Sequence, residues 1–113
     1  MLEPATIGSG DNPPSPAQIY ASENRDDAWA TQTEAEIRRR FQTIRGAKLD
    51  AADCRATRCS ITVSGSEAEV GTTIADLEGD RGLHGYAENV LLTVPEKRPN
   101  GSIVLRAIAS FRR

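Results

Sequence analysis

Cys54 and Cys59 stand with four residues between them in the stretch Asp53-Cys54-Arg55-Ala56-Thr57-Arg58-Cys59-Ser60-Ile61-Thr62-Val63, and nothing else in the chain restricts its folding so narrowly. Cys59, Ile61 and Val63 recur at a period of two, so all three point to one face of a β-strand, the buried one. Across a short loop Cys54 then falls opposite Cys59, where cross-strand Cβ atoms come within disulfide range. The expectation is a hairpin closed at its mouth by a Cys54–Cys59 disulfide, a ring small enough to stabilise the fold by roughly 2 kcal/mol through loop entropy. Parity adds a second expectation. Ala47, Leu49 and Ala51 alternate with Lys48 and Asp50 as a half-buried strand, yet Leu49 and Cys54 lie an odd number of residues apart. If both face inward, a bulge near Ala52-Asp53 is required.

Other uses of the cysteines fit less well. A thioredoxin-like site takes Cys-x-x-Cys at a helix start, and this spacing is longer and lies on strands. A zinc site needs about four ligands, while the chain has two cysteines and one histidine, so no metal is expected. Redox switching keeps a mechanism, because Arg55 and Arg58 flank the pair and would lower the thiol pKa values of reduced, exposed cysteines.

The remaining elements follow from periodicity and punctuation. Residues 1–15, with Gly8-Ser9-Gly10-Asp11-Asn12-Pro13-Pro14, have the composition of a flexible acidic linker, and residues 16–113 read as one domain. Ser15 as cap, Pro16 at the first helical position and Gln18 three after the cap predict a short helix over Pro16 to Ser22. From Asp26, the residues Trp29, Thr33, Ile37, Phe41 and Ile44 make one stripe of an amphipathic helix that Gly46 closes. Glu34 with Arg38 and Glu36 with Arg40 stand at pairing distance on it. Arg38, Arg39 and Arg40 fan over about 200° of helix surface, which fits a solvated helix end and not a binding stripe. Trp29 reads as a core anchor.

Ser66 and Glu69 form a capping box for a second helix along Val70, Ile74 and Leu77 that stops at Gly79. Val90, Leu92 and Val94 alternate up to Pro95, and Pro99-Asn100-Gly101 supplies a turn. Ile103, Leu105, Ala107, Ala109 and Phe111 then give the longest period-two run. The fold class is therefore α+β in the order αββαββ, a four-stranded, mostly antiparallel sheet with two helices packed on one face.

Asp53-Cys54-Arg55-x-Thr57-x-Cys59, following the approach Asp26-Asp27-Ala28-Trp29-Ala30, resembles uncharacterised envelope and lipoprotein-like domains of proteobacteria and myxobacteria. These carry a similar acidic residue-Cys-Arg-Ser/Thr-x-x-Cys stretch. The resemblance covers residues 24–64. It implies an extracytoplasmic location, periplasmic or secreted, and a paired Cys54 and Cys59, and it brings no catalytic residue. Such an address expects a signal or anchor ahead of Met1, since Met1-Leu2-Glu3-Pro4 has neither the basic nor the apolar region of one.

Charge distribution and motifs narrow the function. Residues 1–36 hold seven acids and one base, and residues 37–113 nine acids and thirteen bases, too little positive charge to make nucleic acid an expected partner. The order helix-strand-strand-helix followed by Gly79-Asp80-Arg81-Gly82 is similar to the opening of a KH-type RNA-binding domain. A helix would have to follow that loop directly, however, and Gly85 interrupts Leu83 to Val90, beyond which the residues read as strand. His84, in the same loop, has no nucleophile or ligand spacing beside it. No apolar run reaches membrane-spanning length.

No catalytic set, metal cluster or cofactor motif emerges. The function expected is a non-enzymatic domain that binds another protein or an envelope component; the alternative is a thiol-based redox sensor or small enzyme using Cys54 and Cys59, with His84 or the flanking arginines assisting. The outer face of the last strand, with Val104, Arg106 and Ile108, is the candidate binding surface, joined by Arg55 and Arg58 beside the cysteine loop. Either the N-terminal segment or a partner chain is expected to cover it.

Overall fold

The last strand of the chain is the middle of its sheet. The computed structural model describes residues 13–79, 82–83 and 85–113. Among them are three helices, α1 (Pro16–Ser22), α2 (Asp27–Phe41) and α3 (Glu67–Glu78), and five strands: β1 (Lys48–Cys54), β2 (Arg58–Gly65), β3 (Asn89–Leu92), β4 (Glu96–Lys97) and β5 (Ile103–Ser110). The sheet order is β1-β2-β5-β3, with β4 also paired to β5, and every pairing is antiparallel. The expected linker falls largely on residues 1–12, outside the described residues, as does His84.

One face of this sheet is the core. Cys54, Cys59, Ile61, Val63, Leu105, Ala107 and Ala109 are buried there with Ala30 and Ile37 of α2 and Val70 and Leu77 of α3. Leu83, fully buried in the loop after α3, plugs the same layer. Helix starts obey their sequence signals: Ser15 and Ser66 each make a complete capping box, with Gln18 and Glu69 as reciprocal partners, and Asp26 caps α2 through the Trp29 N–H.

The αββαββ order with four strands and two helices on one face needs three corrections. First, α1 lies on the opposite face of the sheet, against β2 and β5. The alternation of β5 places Ile108 there, fully buried yet outside the main core cluster. Second, the outer strand beside β5 breaks in two. From Leu92, opposite Ala107, to Glu96, opposite Val104, the outer chain advances four residues while β5 advances three. Thr93 keeps one ladder bond, its N–H donating to the Arg106 carbonyl at 2.9 Å, and Pro95 has no N–H to give. The extra residue reverses the alternation, so Val94, expected inward, is 83% exposed. Third, α2 ends at Phe41, and Gly46 closes the following loop instead of the helix.

The bulge demanded by the parity of Leu49 and Cys54 is present, but earlier in β1 than Ala52-Asp53. Leu49 pairs with Val63 and Ala51 with Thr62, so Asp50 is the residue skipped. That skip turns Ala52 and Cys54 inward and leaves Ala51 exposed.

Gly46 joins the two layers. Its φ of +100° is one that side chains rarely adopt, and a Cβ there would lie 2.3 Å from the Glu69 carbonyl oxygen. Close approach lets α3 receive the loop: the Ala47 N–H donates to Thr73 Oγ1 at 2.6 Å, and the Arg45 N–H and guanidinium both reach the Asp76 carboxylate. Gly71, by contrast, faces open space in mid-helix. Gly46→Ala should therefore lower unfolding free energy by at least about 2 kcal/mol, strain and overlap adding. Gly71→Ala should raise it by about 0.5–1 kcal/mol, both read by urea denaturation.

Candidate binding surface

Residues from four separate parts of the chain converge on the tip of the β1–β2 hairpin. Cys54 and Cys59 are directly paired, with Cα atoms 4.0 Å apart, and their sulfurs form a disulfide inside the core. The loop it closes has no glycine, and no residue other than glycine has a positive φ anywhere among the described residues, so the turn lacks the left-handed residues that favour tight hairpins. The Arg55 N–H closes on the Arg58 carbonyl within the loop, and the next three N–H groups are satisfied from outside. Glu23, just past α1, accepts from the backbone N–H groups of Ala56, Thr57 and Arg58 at 2.9–3.2 Å, from the Thr57 hydroxyl and from the Arg58 guanidinium. From the other end of the chain, the Phe111 N–H donates to the Thr57 carbonyl and Arg113 to the Ala56 carbonyl.

The outer edge of β1 is closed near the same point. The Cys54 N–H donates to Glu34 Oε2 at 2.8 Å, and Arg25 bridges Glu34 and the Cys54 carbonyl, so a strand end that could recruit another chain is occupied. Glu34 is thus turned away from Arg38, the partner its spacing suggested, because the edge of β1 runs beneath that face of α2. Glu36 does pair with Arg40, and with Arg39 as well.

These contacts fix protonation. Burial alone would raise the Glu23 carboxyl, but the Thr57 hydroxyl, the loop N–H groups and Arg58 together hold it below the usual glutamate range. Arg25 pulls Glu34 down against its burial. The Tyr20 hydroxyl, followed by Arg55 and Arg25, lowers Asp53. Burial first, then Asp53, raises the Tyr20 phenol.

Tyr20 links this hub to the second face of the sheet. Its ring is buried, with the Arg55 guanidinium 4.6 Å and the Arg106 guanidinium 5.7 Å from its centroid. Beyond it the face opens into a groove of about 390 Å³ lined by Thr62, Thr93, Val94, Glu96, Val104 and Arg106.

Of the residues singled out from sequence, Val104 and Arg106 line this groove. Ile108 is sealed on the α1 half of the same face and offers nothing to a ligand. Arg55 joins Asp53 and Tyr20, and Arg58 joins Glu23, so both belong to the hub. Sequence reasoning missed Tyr20, Glu23 and the groove residues Thr62, Thr93, Val94 and Glu96. Pro95 after Val94 was the single local sign that the strand would break there. Among the described residues no helix is long and apolar enough to cross a membrane. Compared with known protein families, curated proteins and solved structures, the chain has no match.

A carboxyl whose folded pKa is depressed contributes stability that is complete above its unfolded value and lost as pH falls through the folded one. The melting temperature should accordingly fall as pH drops below about 4.3, the ordinary glutamate value. Glu23→Gln should cost about 2 kcal/mol at pH 7, the scale of hydrogen bonds to a charged group. It should also make the acid limb of the melting profile shallower, measured by circular dichroism from pH 7 to 2.

Proposed function

We propose that this chain is a non-enzymatic binding domain of the bacterial envelope or periplasm, stabilised by the Cys54–Cys59 disulfide, that engages another protein or an envelope component. The observation that carries the reading is the buried cystine at the hub of the fold: both cysteines are fully buried and the loop between them is gripped from both ends of the chain. A disulfide so placed suits an oxidising compartment. The likeness of the hairpin to envelope and lipoprotein-like domains points the same way.

The charged groups add to it. Glu23, Asp26, Glu34, Glu36 and Asp53 are all shifted downward, each by hydrogen-bond donors or arginines within the fold. Acid–base catalysis near neutrality calls for a carboxyl pushed the other way. These groups support structure, and the open groove is the surface left for recognition.

The test is the reduction potential of the pair in glutathione or dithiothreitol buffers. A structural disulfide of this kind should have a potential below about −300 mV. A value above about −230 mV, or two free thiols in protein recovered without reductant, would favour the thiol-sensor alternative. The Cys54→Ala/Cys59→Ala double variant should fold but lose about 2–4 kcal/mol, loop entropy plus a small cavity.

A further inference from the structure

The half of the second sheet face that α1 leaves bare carries one arginine, Arg106, whose guanidinium is only partly used by the fold. Arg106 is exposed, and its Nε donates to Ser60 Oγ at 2.8 Å while Tyr20 flanks the guanidinium. Among the described residues it has no ion pair, as Arg38 and Arg98 have none, and of these three it is the one that lines the groove, with Glu96 also in the lining. With Nε engaged, the end of the guanidinium fork is held in one orientation with two N–H directions open, the geometry that receives a carboxylate through two parallel bonds.

Val104 lies two residues along the same strand and therefore on the same face, one repeat of about 7 Å from Arg106. It borders the groove together with the exposed Val94. An extended peptide has the same repeat, so a segment with an acidic side chain and an apolar one two positions away would present both to matching partners.

We propose that this groove binds an extended segment of a partner protein, its carboxylate on Arg106 and its apolar side chain against Val94 and Val104. The assignment rests on the binding-domain reading above and adds to it the surface and the partner's chemistry. Position i of the peptide carries the acid and position i±2 the apolar residue.

The experiment is a ¹H–¹⁵N titration of the full chain with the blocked peptide acetyl-Thr-Val-Thr-Glu-Thr-amide and its Glu-to-Gln analogue. Saturable shifts should centre on Thr62, Thr93, Val94, Val104 and Arg106, and the Gln analogue should bind about tenfold more weakly, the loss of one charge-assisted pair. Arg106→Gln should reduce binding by a similar factor. Val94→Glu, a change at a side chain exposed to solvent, should do the same by repulsion while keeping the melting temperature of the parent. Equal binding of both peptides, shifts that survive both substitutions, or shifts mapping to the edge of β1 would overturn the proposal. Groove signals that move with protein concentration before any peptide is added would overturn it in favour of a second copy of the chain. A failed titration with a disulfide potential below about −300 mV removes this groove assignment alone. Free thiols remove the envelope reading.

Discussion

Closing the β1–β2 hairpin is the constraint on which the rest of the structure depends, and it is closed twice by different physics. The Cys54–Cys59 bond acts chiefly on the unfolded chain, where it removes the conformations of a short loop. Glu23 acts on the folded one, where its carboxylate takes three adjacent backbone N–H groups that the turn itself cannot satisfy. Neither substitutes for the other. The cystine fixes which residues face each other but leaves the loop's polar groups open, and Glu23 can reach them only when α1 is docked.

Docking of α1 therefore follows from the hairpin and not the reverse. Seven residues of helix are too few to be stable alone. Tyr20 beneath and Glu23 at the C-terminal end tie α1 to Asp53 and to the loop. Arg25 and Asp26 continue the attachment, with the Asp26 N–H on the Arg55 carbonyl, before α2 begins. At the other terminus Arg113 contacts Ala56, Asp26 and the Trp29 ring, while Phe111 packs edge-on between Trp29 and Tyr86. Segments near both ends of the described chain thus meet at Ala56 and Thr57, Glu23 taking their N–H groups and Arg113 and Phe111 their carbonyls.

What the sequence made legible is what depends on near neighbours. Ser15 and Ser66 announce their helices through capping boxes, the period of Cys59, Ile61 and Val63 gives the inward face of β2, and the odd spacing of Leu49 and Cys54 compels a bulge somewhere between them. Where that bulge falls was not legible, because Asp50 is as acceptable an extra residue as Asp53 until the register with Val63 and Thr62 is known. Long-range partners were equally hidden. Glu34 sits at helix spacing from Arg38, and only the edge of β1 beneath α2 diverts it to Arg25 and Cys54. The alternation of β5 made it legible that Val104, Arg106 and Ile108 share the outer face of the sheet. That alternation cannot say how far along the strand a covering helix extends, so the burial of Ile108 beneath α1 was hidden.

Simple lengths explain why the cover is partial. The seven residues of α1 span about 10 Å at 1.5 Å per residue, whereas the eight of β5 span about 26 Å. A helix lodged at the hairpin end by Glu23 and Tyr20 can seal Ile108 but cannot reach Val104, four residues further along the strand. The bulge at Thr93–Pro95 then brings Val94 onto the same uncovered stretch, where an unbroken strand would have turned it into the core. Two independent departures from regular structure, a helix too short and a strand one residue too long, thus leave apolar surface exposed at one place. Arg106 stands at the boundary, its guanidinium bonded to Ser60 and beside Tyr20 on the covered side and lining the groove on the other.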